Sequence, residues 1–322
     1  MLTPSILPQG QNAALLRNVS YSIPGLFLFS ELVYEALEQV RAKFDYQIPV
    51  QYLYGSPQVR WNGGRLIFRN YRYARDAMEK ELSGAVEHGM TPLLTFSTTA
   101  MDEELLKDPD GNLLLEMLND LHGGAIVTHP LLKGYIEKHF PNIELHASVL
   151  MTVYPEKRDE SYYRSLAKEY RRFVVNTDDN HDLELMARIP KERAEVILNE
   201  RCGYHCPQRR EHYESIGVQQ PAIIEGCTQF ENFLGRCPYV PEGKQSETKA
   251  RHISLTTQEA AVLADMGFDL FKLQGRLDSP YVFFFDFFRY TLEPELAFPT
   301  MYPIFSYSIR RFLKEREKKH RG

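Results

Sequence analysis

The chain has 322 residues, 43% of them hydrophobic and 25% charged, a globular composition that excludes a disordered chain, a collagen and a coiled coil. Its 38 Lys and Arg against 43 Asp and Glu leave a net charge of −5, which argues against nucleic acid as a partner while leaving a local basic patch open. No run approaches the ~18 apolar residues of a membrane span, and Met1–Gln11 lacks the pattern of a signal peptide, so a cytoplasmic, reducing location is expected.

Residues 1–45 read as an N-terminal helical extension, with the apolar, helix-like piece Leu26–Phe44 placed to plug a barrel bottom or close a subunit interface. Short apolar runs then follow at Val50–Tyr54, Leu93–Ser97, Ala125–Thr128, Glu144–Val149, Phe173–Asn176, Glu195–Asn199, His252–Leu255 and Leu270–Leu273. Their continuous Val, Ile, Leu and Phe content is that of strands buried on both faces. Helical patterns separate them at Ala74–His88, Leu113–Leu121, Pro130–His139, Ser161–Arg171, Leu183–Ala187 and Gln258–Met266. Strands alternating with helices imply a parallel sheet, and eight such units fit an α/β fold of the (β/α)8 TIM type, which needs ~250 residues. A single barrel domain over 46–322 is therefore expected. An open doubly wound sheet is the alternative, but no G-x-G-x-x-G follows the first strand.

Cys202, Cys206, Cys227 and Cys237 all fall in one inserted loop, residues 200–251, after the sixth of these strands. Clustered thiols in a reducing compartment read as metal ligands or catalytic groups before disulfides. The spacing C-x3-C-x20-C-x9-C lacks the tight knuckles of a zinc ribbon, so a four-cysteine iron–sulfur cluster of the 4Fe-4S kind is favoured over zinc. His205 could replace one thiolate.

In a barrel, polar groups at the carboxyl ends of strands carry the chemistry. Asp178, Glu200, Lys272 and Arg276 occupy such positions, and His146 lies within a strand. Each has a structural alternative: Asp178 as a helix cap, Lys272 and Arg276 as partners of a rim acid, His146 as a satisfied interior histidine. Together, basic groups beside a cluster suit a small anionic organic molecule. The aromatic run Tyr281–Tyr290 packs the last helix, with enough phenylalanine left over for a homodimer or heterodimer interface. The basic tail 310–322 reads as a solvated helix end, or as an arm for RNA or a partner.

The run Asn199-Glu200-Arg201-Cys202 through Cys206-Pro207, with Arg209, Arg210, Glu211, His212 and Tyr213 behind it, resembles the cysteine region of the collagenase-like peptidases of the U32 family. Phe271-Lys272-Leu273-Gln274-Gly275-Arg276-Leu277 with Ser279-Pro280-Tyr281-Val282 is similar to that family's K-I-E-G-R signature, and Glu144-Leu145-His146-Ala147-Ser148 to its strand-four segment. The resemblance covers residues 48–290. It implies a barrel with a cysteine-bound iron–sulfur cluster. It also implies oxygen-independent hydroxylation, carried out by family members on a ubiquinone precursor, a tRNA uridine or a ribosomal RNA cytidine, with prephenate as oxygen source for some. Gln274 stands where the motif carries an acid. The family's long RNA-associated extension is absent, which favours a small-molecule substrate.

Three functions compete. One is iron–sulfur redox chemistry of the hydroxylation type. The second is a U32-type peptidase, although no Ser–His–Asp order and no H-E-x-x-H is present. The third is a non-catalytic iron–sulfur partner subunit.

Overall fold

The computed structural model describes residues 7–63, 75–229, 231, 253–275 and 279–321. Among them, eight parallel strands close into a barrel in sequence order: β1 (Ser20–Pro24), β2 (Val50–Gly55), β3 (Thr91–Phe96), β4 (Gly124–Val127), β5 (Glu144–Ala147), β6 (Arg172–Val174), β7 (Ala194–Ile197) and β8 (Leu270–Lys272). The ring is sealed by β1 against β8, with Ser22 opposite Lys272.

Helices wrap the strands: α1 (Ser30–Phe44), α2 (Arg75–Glu87), α3 (Pro109–Asp120), α4 (Pro130–His139), α5 (Glu160–Glu169), α6 (Leu183–Arg188), α7 (Arg209–Ile224) and α8 (Thr257–Asp265). Then α9 (Pro280–Thr291), α10 (Pro294–Pro303) and α11 (Ile309–Arg321) run on to the end. Their starts are written locally. Asp108 caps α3 through Asp110 N, with Pro109 at the first position, and Thr256 and Glu259 form a reciprocal capping box on α8.

Strand alternation sorts the core into two layers. On β2, Leu53 faces the helices and joins the main core, whereas Tyr52 and Tyr54 point inward and pack with Leu93, Ile126 and Leu270. Both faces are buried, which is why most strands read as unbroken apolar runs.

Two expectations change. The first strand lies at Ser20–Pro24, inside the stretch read as a helical extension, so that stretch supplies part of the barrel. Its inward Ser20 and Ser22 and its terminal proline hid the apolar pair Tyr21 and Ile23. Conversely, residues 253–255 of the expected strand His252–Leu255 form no strand, and His252 lies outside the described residues. Ile253 and Leu255 are buried and Leu255 N donates to Leu198 O, but β7 pairs directly with β8 and leaves no slot between them. The cysteine segment therefore follows the seventh strand. Most of its loop, residues 230 and 232–252, also lies outside the described residues.

Candidate functional site

The barrel interior carries a buried charge pair. Glu195 on β7 is fully buried, and Lys272 Nζ on β8 donates to its Oε2 at 3.0 Å. Burial pushes the Glu195 carboxyl up, but the Lys272 ammonium, helped by His146, outweighs it and holds the group below the ordinary carboxylate range. Lys272 also lies over the Tyr54 ring, 4.5 Å from its centroid, and the Tyr54 hydroxyl donates to Leu273 O at 2.8 Å. His146 on β5 meets Tyr52 edge to face at 4.9 Å. Both of its ring nitrogens are buried without a hydrogen-bond partner among the described residues, the nearby Glu144 oxygen being 3.9 Å away. The His146 imidazole, with Arg171 behind it, lowers the Glu144 carboxyl.

The barrel mouth is built around the turn that carries the first two cysteines. Two acids hold it. Glu200 Oε1 accepts from the backbone N–H groups of Arg201 at 2.8 Å and Cys202 at 3.0 Å. Its Oε2 accepts from Gln274 Nε2 at 2.7 Å. Gln274 is thus a donor to Glu200, where a second carboxylate would repel it. Asp178 receives the Arg209 guanidinium in a fork at 2.7 and 3.2 Å, and His205 N at 2.9 Å. Arg209 also donates to Gly203 O at 2.8 Å, so one side chain ties the first turn of α7 to the middle of the C-x3-C segment. Asn199 and Arg201 both bond Asp286 of α9, which anchors the other end.

Burial pushes the Cys202 thiol up to about 11. The Arg209 charge pulls it down, and Glu200 and the neighbouring Cys206 push it further up. Cys202 is therefore a protonated thiol at neutral pH, and any metal that binds it must displace a proton.

The described site residues fall in three places, and two more lie outside the described residues. Cys202, Cys206, Asp178 and Glu200 come together at the mouth. Lys272, expected to face the cysteine cavity, instead pairs with Glu195 inside the barrel, and His146 lies in the interior against Tyr52, the place its structural alternative gave it. Cys227 lies past the far end of α7, exposed, with its thiol on Gln229 O at 3.2 Å. The 16 residues of α7 span about 24 Å, which is the scale of the gap between it and Cys206. Cys237 and Arg276 lie outside the described residues.

Among the described residues no group of three or more His, Cys, Asp or Glu side chains is gathered to hold a metal ion. Of the described cysteines, Cys202 and Cys206 are near enough for the charge of one to act on the other, and Cys227 is not gathered with them. The sequence reading also missed Glu195 and Arg209 as charge partners. An acid opening an apolar strand is the one local signal for Glu195. For Arg209 there was only its place in the motif region.

No protein-family model matches this sequence, and no curated protein matches it significantly. Solved structures do resemble it. The U32 peptidase Mk0906 is 14% identical with a TM-score of 0.50, over 85% of this chain and 97% of that one. The 3-keto-D-glucoside 4-epimerase YcjR from E. coli follows at 12% identity and a TM-score of 0.36, over 65% and 100% of the two chains. A GH113 beta-1,4-mannanase gives 10% and 0.32, over 80% and 87%. The first of these shares the barrel fold; the other two are too distant to carry an argument.

Proposed function

We propose that this is a U32-type barrel protein whose working site is the Cys202–Cys206 turn, and that the turn seats an iron–sulfur centre acting on a small anionic or aromatic molecule. The observation that carries the reading is the double tether of that turn. Glu200 fixes the Cys202 amide, and Asp178 with Arg209 fixes His205 and Gly203, so two thiols are preorganised at the end of the barrel where such folds do chemistry. Soft thiolate donors select iron–sulfur or zinc over hard cations. When bound, an iron–sulfur centre supplies one-electron transfer. The protein's own part is to hold Cys202 and Cys206 in place and to compensate negative charge there with Arg209.

Anaerobic purification with iron and sulfide analysis tests the reading. The expected product is brown, with absorption near ~400 nm, and loses its iron in Cys202→Ser while keeping its far-ultraviolet dichroism. Cys227→Ser decides the ligand set: retained iron confines the centre to the rim pair and further ligands, and lost iron brings the distal thiol in. A colourless protein with stoichiometric zinc, or with no metal, overturns the redox reading. The name of the solved U32 neighbour supports a second reading, peptide hydrolysis. A thiol nucleophile needs a depressed pKa, and Cys202 is shifted the other way. Turnover of a collagen-derived or generic peptide by metal-free protein would establish that reading in place of the first.

A further inference from the structure

Most of the large apolar side chains of the last helices are buried against the barrel, but a set of aromatics is not. Phe285, Phe298, Tyr302 and Tyr307 are 50%, 71%, 62% and 72% exposed, and no other Phe, Tyr or Trp among the described residues is exposed. Phe298 and Tyr302 are one helical turn apart on α10, and Phe285 sits on α9, which packs against it. Internal packing does not explain them, since Leu296, Ile304 and Ile309 already supply the buried face of the same segment.

That segment continues into a cationic helix. Residues 304–308 form a wide helical turn joining α10 to α11, so both belong to one rod over 294–321. On α11, Arg310, Lys314 and Lys318 recur every four residues, all exposed, and none forms an ion pair among the described residues. Arg311 is different, its guanidinium being held by Glu35 at 2.6 Å. Phe312 and Leu313 lie against the core, which docks α11 and leaves its cations outward. The positive stripe is local, since the whole chain carries −5.

Exposed Phe and Tyr continuous with a row of Lys and Arg is the combination that settles in a lipid headgroup layer: rings at the boundary, cations on anionic headgroups. We propose that the α10–α11 face is a peripheral docking surface for an anionic phospholipid bilayer, which would orient the chain on a membrane without spanning it. The charge complementarity favours an anionic lipid surface over a second copy of this net-acidic chain. Stacking on RNA would use the same side chains and is separated by the test.

The test is co-sedimentation of the full chain with vesicles of phosphatidylcholine alone and of equal parts phosphatidylcholine and phosphatidylglycerol. The expected result is binding to the mixed vesicles only, weakened by added salt. Reversing Arg310, Lys314 and Lys318 to Glu should lower the partition constant about a hundredfold, at roughly fivefold per cation. Replacing Phe298, Tyr302 and Tyr307 by Ser should lower it about tenfold while leaving the salt dependence in place. Because all six residues are exposed, both variants should keep wild-type dichroism and melting. Equal binding to both vesicles, or none to either, overturns the proposal. So does a dimer in solution that the Ser variant dissociates, or a competing RNA that displaces the protein from vesicles with higher affinity.

Discussion

Replacing Lys272 by Met removes the ammonium that compensates a fully buried carboxylate. Glu195 is 0% exposed, its Oε2 is held by Lys272 at 3.0 Å, and its Oε1 has no hydrogen-bond partner among the described residues. Breaking a buried pair on one side costs about 3–5 kcal/mol, because an uncompensated charge stays behind. With about 2 cal/mol/K of unfolding entropy per residue, a 322-residue domain loses about 4–7 °C in melting temperature for that cost. The pH dependence identifies the cause. In the wild type Glu195 is held below its unfolded value, so its contribution is present above that value and is lost as pH falls through the folded one. In Lys272→Met the largest opposing charge is gone and burial, opposed only by His146 and Ser22, raises the carboxyl, so the penalty is small below the unfolded value and grows as pH rises above it. Urea titrations at neutral and at acidic pH should therefore show a gap between the two proteins that narrows with acid. Adding Glu195→Leu to Lys272→Met should recover most of the loss, since an apolar pair often replaces a buried ion pair without cost. A gap of the same size at both pH values, or no gap at neutral pH, would refute the reasoning.

Gln274→Glu places a carboxylate 2.7 Å from Glu200, so one of the two acids should titrate high and stability should fall as pH rises past the ordinary carboxylate range; thermal melts across that range check it. Thiol alkylation followed by mass spectrometry should label exposed Cys227 first. Cys202 should react slowly at neutral pH, its rate climbing until about pH 11, and equal rates for the two would contradict the burial argument. By the same shift, the stability Cys202 contributes is complete below its unfolded value and lost as pH rises through about 11. In Gly217→Ala, the new methyl would overlap the Thr99 hydroxyl where α7 packs on the loop after β3, at a cost of about 1–3 kcal/mol by denaturant unfolding. Adding Thr99→Ala should restore part of it, and an unchanged single variant would show that α7 is free to shift.

The barrel was legible in the sequence because strands buried on both faces must be apolar throughout and helices between them must be amphipathic, and both patterns are local. The helices over 75–87, 130–139 and 257–265 follow from such patterns, the last two also from their caps. β1 was not legible, because its inward serines break the apolar run; what makes it a strand is pairing with β2 and β8, more than twenty and more than two hundred residues away. The same limit governs the site. Residue type placed Asp178, Glu200 and the first two cysteines at the rim, since each closely follows a strand end in the chain. Which acid meets which base depended on distant elements. Lys272 turns inward to Glu195 because both side chains face the barrel axis on adjacent strands. Arg209 closes on Asp178 across 31 residues because α7 begins above β6. Four cysteines in one loop suggested one centre; a rigid helix between the second and third sets the distance between them, and a helix length is a property of three dimensions that cysteine spacing alone does not carry.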